Sequence, residues 1–260
     1  MTFETIMTEK DGAAFVITFN RPEKRNALSL QTMDDIAEAV KHAAADSTVR
    51  GIIFSGGEKF FSAGADLNEA LEVKSVTDGD AFFGRANRLF ALMETTDKPV
   101  LAAIEGFCMT GGCELALACD IRIGAKGSSY AVTSSRIGTV AGFGGTQRLP
   151  RIVGSGNALD MLFLGDPVDA EHAYRIGLIN RLTEKGQALA EAKRLVSIYE
   201  KRGPLSLAFA KRAVRRGMQM DQDSAIDLEF FMVNTIYGTA DKQEGIAAFL
   251  EKRDAQFKGR

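Results

Sequence analysis

The sequence predicts a layered α/β fold with largely parallel strand pairing. Short apolar, β-branched runs alternate with helical patterns over the first two thirds of the chain, and glycine turns punctuate them. From about Gly154 the strand signals thin out and helices follow one another.

The first strand is Ala14-Phe-Val-Ile-Thr-Phe19, followed by the loop Asn20-Arg-Pro-Glu-Lys-Arg-Asn26. A helix follows from Ser29 to Ala45, with Ser29 able to cap the free amides of its first turn. Val49 to Phe54 is a second, buried strand, ended by Gly56-Gly57. A helix over about Asp80 to Glu94 leads to a third strand, Val100 to Ile104. Gly106 opens a loop, Gly111 or Gly112 opens a helix through Ala118, and Asp120 to Ile123 is a further strand. Later, Ala188 to Tyr199 has amphipathic spacing and is stopped by Gly203-Pro204. Pro204 suits the first turn of the next helix, to about Arg216. Asp221 to Ile236 and Asp241 to Arg253 are two more helices, and their Phe230, Phe231, Ile236 and Phe249 predict contact with a partner subunit.

Composition narrows the function classes. The chain has 260 residues, 45% hydrophobic and 25% charged, enough for a sizeable core. Its formal charge of −2 offers no basic field for nucleic acid. Lys211-Arg212 and Arg215-Arg216 read as a solvated helix face. No apolar run approaches the length that spans a bilayer, and the acidic N-terminal stretch is no secretory signal. Cys108, Cys113 and Cys119 form no Cys-x-x-Cys pair and lie far from His42 and His172, so neither zinc nor disulfides are expected. Reduced, buried thiols fit a cytoplasmic location. Phosphate-loop, dinucleotide-binding and Gly-x-Ser-x-Gly patterns are absent, which weakens the nucleotide hydrolase, dehydrogenase and serine hydrolase readings.

Two glycine loops and one acid remain. Phe60-Phe-Ser-Ala-Gly-Ala-Asp66 and Met109-Thr-Gly-Gly112 both follow strands that pair in parallel, where ligands of α/β folds bind. Glycine lets backbone N–H groups turn toward one point, and a helix start adds the positive end of its dipole. Two such amides converging on a carbonyl oxygen would form an oxyanion hole. Just behind the second loop, Glu114 sits in the apolar run MTGGCELALACD. A carboxylate there is either on a solvated rim or desolvated and reactive.

Residues 102–154, AAIEGFCMTGGCELALACDIRIGAKGSSYAVTSSRIGTVAGFGGTQRLPRIVG, resemble the signature region of the crotonase (enoyl-CoA hydratase/isomerase) superfamily. The resemblance extends to Arg21-Pro-Glu-Lys-Arg-Asn-Ala-Leu28, to FSAGADL at 61–67 and to EGIAAFLEKR at 244–253, and so covers essentially the whole chain. It implies a crotonase-like spiral of strand–strand–helix (ββα) repeats over residues 1–200 and a C-terminal helical trimerisation region over 201–260, assembling as a homotrimer or dimer of trimers. It implies an acyl-CoA thioester substrate, no separate cofactor, and an enolate held by the amides of Ala65 and Gly111. Lys24, Arg25, Ala27 and Ala63, with Ala65-Asp66-Leu67-Asn68, would line the coenzyme A. Phe249 and Lys252 match positions that in related enzymes help hold the nucleotide, sometimes across a subunit interface, although Phe249 also reads as interface core and Lys252 as a solvated charge. Glu114 falls on one of the two catalytic glutamates of the hydratases.

The second of those glutamates is missing. Its position carries Ser134, and the neighbouring positions that serve as acids in some isomerase relatives are Arg136 and Gly142. A serine can orient water or substrate but exchanges no proton near neutral pH. Glu69 and Glu105 are spare carboxylates in the same loops that could replace the missing acid, although Glu105 reads better as the end of a strand. The readings rank as a hydratase working with Glu114 alone, then a double-bond isomerase, then other thioester chemistry such as hydrolysis, ring cleavage or decarboxylation. A non-catalytic binding protein ranks last. The apolar residues of the 70–90 segment (Leu71, Val73, Val76, Phe82 and Phe83) suggest walls of an acyl site, although such a stripe also reads as ordinary core.

Overall fold

The computed structural model describes residues 2–260. Strands β1 (Ile6–Asp11) and β2 (Ala14–Phe19) form an antiparallel hairpin in which Asp11 pairs with Ala14. The turn is Asp-Gly, and Gly12 takes φ +56° without steric cost. From β2 onward the main sheet runs parallel, through β3 (Gly51–Ser55), β5 (Val100–Ile104), β7 (Ile121–Ala125) and the edge strand β10 (Arg181–Thr183).

Each central strand is buried on both faces, which is why these runs read as continuous apolar stretches. Ile52, Phe54, Ala102 and Ile104 face a core shared with α1 (Leu30–Ala45), α3 (Val76–Thr95) and α4 (Gly111–Ala118). Ile53, Leu101 and Ala103 face the opposite way, onto Ala188, Ala192, Leu195 and Val196 of α8 (Ala188–Glu200).

A second, smaller sheet consists of strands of three residues or fewer: β4 (Phe60–Ser62), β6 (Phe107–Met109), β8 (Ser129–Ala131) and β9 (Val168–Asp169). The chain therefore repeats one unit, a main-sheet strand, a small-sheet strand and a helix: β3–β4–α2 (Leu67–Leu71) with α3, then β5–β6–α4, then β7–β8–α5 (Gly145–Val153). This is the expected ββα spiral. After α5 come α6 (Ser155–Leu164) and α7 (Ala170–Arg175), which lies between β9 and β10. The part expected to be all-helical thus contributes an edge strand to each sheet. These strands are too short to carry a period in the sequence.

The tail is α9 (Pro204–Gly217), α10 (Gln222–Tyr237) and α11 (Ala240–Leu250). The basic cluster of α9 is not a solvated face. The Lys211 side chain is only 9% exposed and donates to the carbonyls of Met93 and Lys98 and to Asp120, while Arg215 binds Glu94, Asp120 and the carbonyl of Ala118. These ligands sit at the C-terminal ends of α3 and α4, where carbonyls lack helix partners and favour cations. Helix α10 buries no residue, and Ile226, Phe230, Phe231 and Tyr237 stand exposed on it.

Candidate active site

The small sheet aligns the chemistry. Ser62 pairs with Cys108, and Cys108 with Tyr130. Three residues beyond each of these partners stand Ala65, Gly111 and Thr133, so three loops leave the same sheet edge in register. Glycine makes their approach possible. A Cβ on Gly111 would stand 3.0 Å from the amide nitrogen of Ala65 and from the ring of Phe143, and one on Gly112 would meet Ser62 at 2.6 Å.

Among the described residues, the amides of Ala65 and Gly111 have no protein acceptors. Leu28 bridges to the loop through Gly64 and Asp66 on either side of Ala65, which leaves the Ala65 N–H unpaired. Gly111 is the first residue of α4, so its N–H has no carbonyl four residues back. Two neighbouring unpaired donors, one at a helix N-terminus, make a site for a developing negative charge.

Glu114 lies one turn into the same helix and is only 2% exposed. Its Oε1 accepts the amides of Phe143 at 2.9 Å and Gly145 at 2.8 Å. Its Oε2 has no protein partner, yet the one sealed, unpaired side-chain atom among the described residues is Thr96 Oγ1. Oε2 therefore faces accessible space. Burial raises the carboxyl to about 7, against the opposing pull of the two amides and of Arg148. Such a group holds or gives a proton near neutral pH.

The amide donors are held by a rigid loop. Arg148 chelates Glu94 through two bonds of 2.7 and 2.9 Å and donates to the carbonyl of Phe143 at 3.0 Å. The Phe143 ring packs with Phe82, Phe83 and Phe90 into an apolar wall beside Gly111. Phe82 is buried as part of this wall, whereas Leu71 and Val76 of the expected acyl site lie on the surface of α2 and α3.

This architecture is found in known proteins. The model for the enoyl-CoA hydratase/isomerase family matches residues 9–260. A crotonyl-CoA hydratase of Syntrophomonas wolfei is 39% identical over 258 residues, 99% of each chain. A short-chain-enoyl-CoA hydratase of Clostridium acetobutylicum is 37% identical over 262 residues, 100% of each. The crystal structure of an enoyl-CoA hydratase from Bacillus anthracis superposes with a TM-score of 0.94 at 31% identity, covering 99% of this chain and 100% of that one. The chain belongs to the enoyl-CoA hydratase/isomerase family.

Within this family member, the spare carboxylates are committed elsewhere. Glu69 Oε2 accepts the Leu30 amide at 2.7 Å and so caps α1. Glu105 accepts the amides of Gly186 and Ala188 at the start of α8. Each is thereby tied to the start of a helix. Ser134 opens a short 3₁₀ turn, is buried, and its hydroxyl has no protein partner. Arg136 turns outward to Asp166, and Gly142 lets Phe83 approach, its would-be Cβ standing 2.7 Å from that ring.

The loop of residues 20–28 lies against 63–66. Arg25 and Asn26 take left-handed φ values of 51° and 56°, the Ala63 amide donates to the Arg25 carbonyl, and Arg21 bridges Asp66 at 3.1 Å. Buried Asn26 donates to the carbonyls of Gly56, Phe60 and Phe61. Asn26 and Arg21 were not singled out from the sequence. The legible signal was an asparagine, the side chain that best tolerates this backbone, closing a Pro-containing turn. Lys24, Arg25, Leu67 and Asn68 are exposed around this junction, and Ala27 is half-buried. Phe249 and Lys252 are exposed at the end of α11, and among the described residues no hydrogen bond or ion pair joins them to this junction.

Proposed function

We infer that this protein is an enoyl-CoA hydratase that adds water to short-chain 2-enoyl-CoA thioesters, with Glu114 as its acid–base group. One observation carries the reading: a buried, proton-exchanging carboxyl with one oxygen pinned and the other open, on the helix whose first amide pairs with that of Ala65. The crotonyl-CoA and short-chain-enoyl-CoA specificities of the two relatives support the substrate class.

In this scheme the thioester oxygen accepts the N–H groups of Ala65 and Gly111. The Glu114 carboxylate takes a proton from water as its oxygen bonds to the β-carbon, and negative charge moves onto the thioester oxygen as an enolate. Glu114 then returns that proton to the α-carbon and is carboxylate again. One carboxyl serves both steps, and Ser134 orients water or substrate by hydrogen bonding. No separate cofactor enters the balance.

Lys24, Arg25, Ala27, Ala63, Asp66, Leu67 and Asn68 hold the coenzyme A in this reading. The tail of residues 201–260 assembles the core of residues 1–200 into a homotrimer or dimer of trimers through the exposed apolar side of α10, which brings Phe249 and Lys252 to a neighbour's nucleotide. Three free, buried cysteines agree with a reducing cytoplasm. Size-exclusion chromatography of Phe230→Glu tests the assembly: smaller particles support it, and an unchanged size opposes it.

Replacement of the second acid by Ser134 favours double-bond isomerisation as the second reading, since moving a proton between carbons also needs one carboxyl. Purified protein offered crotonyl-CoA distinguishes the two. Hydration adds the mass of water and bleaches the conjugated thioester absorbance. Failure to gain mass, with isomerisation of a 3-enoyl-CoA instead, overturns the hydratase reading.

A further inference from the structure

Thr110, the residue before the Gly111 amide, has φ +43° and ψ −112°. A β-branched side chain is a genuine outlier in this region, which is natural to glycine. It also stands at the N-cap of α4, where a threonine ordinarily adopts extended backbone and accepts an amide of its own helix. Here it makes no such cap bond. Its hydroxyl crosses to the neighbouring loop instead, lying 2.7 Å from the hydroxyl of Thr133 and accepting the Thr133 amide at 3.2 Å. The backbone is fastened too: the Thr110 N–H donates to Ala131 at 2.7 Å, and its carbonyl accepts the Glu114 amide at 2.8 Å.

The direction of the Gly111 N–H is set by ψ of Thr110, because ψ rotates the rigid peptide plane that carries this N–H together with the Thr110 carbonyl. We propose that the Thr110–Thr133 hydroxyl pair is a positioning clamp that holds a threonine in a glycine conformation and thereby aims the Gly111 amide at the thioester oxygen. This rests on the oxyanion-hole reading above and adds Thr110 and Thr133 to it. The pair also ties that hole to the segment carrying Ser134, the next residue after Thr133. A glycine at Thr110 would adopt the same backbone unaided, so the clamp has work only while a side chain is present.

The test is a double-mutant cycle on the full chain, read with butyryl-CoA labelled with ¹³C at the thioester carbonyl. Isotope-edited infrared difference spectra report hydrogen bonding to that carbonyl directly. The wild-type chain lowers the bound carbonyl frequency, and Thr133→Val loses a large part of that shift. Its kcat for crotonyl-CoA falls about tenfold or more with KM within about twofold, the pattern of a misaimed transition-state donor. In the Thr110→Gly background, adding Thr133→Val changes neither quantity. Thr133→Ala and Thr133→Ser repeat the comparison should valine disturb folding, with loss and retention of the shift respectively. A wild-type shift and kcat in Thr133→Val overturn the clamp, as do equal losses in both backgrounds, which mean a general structural role. A wild-type chain that binds butyryl-CoA without any shift overturns the hole itself, and the clamp with it.

Discussion

Phe143 is joined to Glu114 by its backbone and to Gly111 by its ring: its amide donates to Glu114 Oε1 at 2.9 Å, while its ring lies against the glycine. One residue thereby fixes the proposed acid–base carboxyl and an apolar wall beside the free amide of Gly111. Arg148 holds that residue from behind through its carbonyl. The loop over residues 141–145 is thus the common support of the proposed acid and of the wall beside the proposed hole.

Glu114→Gln separates catalysis from stability. The glutamine oxygen can accept the same two amides, so the fold is kept, but no proton can be exchanged. Hydration falls about 100-fold or more. Stability moves the other way. The folded carboxyl titrates at about 7, above its ordinary 4.5, so between these values the folded chain holds a proton the unfolded chain has released. That contribution is present below 4.5 and is lost as pH rises through 7, reaching about 3 kcal/mol at pH 8. Thermal melts at pH 8 therefore place Glu114→Gln above the wild type, with the gain vanishing near pH 4.

The pH profile of kcat/KM has one limb. Water activation needs the carboxylate, so the rate rises through about pH 7 as Glu114 ionises. Ser134 supplies no second titrating group, so no alkaline fall follows over the next two units. Initial rates in overlapping buffers check this, and a bell-shaped curve would indicate a second acid beside Glu114.

Gly145→Ala injures the carboxyl directly. The added Cβ would stand 2.8 Å from Glu114 Oε1 and 2.9 Å from the side chain of Ala141. Both neighbours are fixed, so the overpacking costs about 1–3 kcal/mol, and the displaced carboxyl lowers kcat more than it raises KM. Urea denaturation and steady-state kinetics on the same preparation measure both effects.

Strands β2, β3, β5 and β7 and the helices α1, α3 and α4 were legible because each carries an apolar pattern long enough to read, whereas the polar, exposed edge strand β1 and the three-residue β10 were not. Ser29 capping α1 and Gly111 opening α4 were legible for the same local reason. The small sheet was not, since Phe60–Ser62, Phe107–Met109 and Ser129–Ala131 are too short to show a period. Yet their register is what brings Ala65, Gly111 and Thr133 to one edge. The sequence reading placed the two glycine loops together through the long strands and met the right neighbours by a coarser route. Likewise the helix-start bonds of Glu69 and Glu105 were not legible, because a bond given to a helix start distant in sequence leaves no local mark, although Glu105 does stand at the end of β5 as its position suggested. Thr110 left none either, since a positive φ is a property of the backbone and the residue type argues against it.

Lys211 is the sharpest of these differences and gives the last test. On sequence it belongs to a solvated basic face, and on that reading Lys211→Met is neutral. In the fold its ammonium is buried and bonded to the Met93 and Lys98 carbonyls at 2.9 and 3.0 Å and to Asp120 at 2.8 Å. Burial pulls its proton affinity down while Asp120 opposes this, so the charge is held by its partners. Removing it leaves the Met93 and Lys98 carbonyls without this donor, whereas Asp120 keeps Arg215 at 2.8 Å. The loss is about 2–4 kcal/mol. Because Lys211 touches none of the residues that hold Glu114 or the Ala65 and Gly111 amides, kcat well below the melting temperature stays at the wild-type value. A urea midpoint within about 0.5 kcal/mol of wild type would return α9 to the solvated reading, since surface substitutions usually cost no more than that.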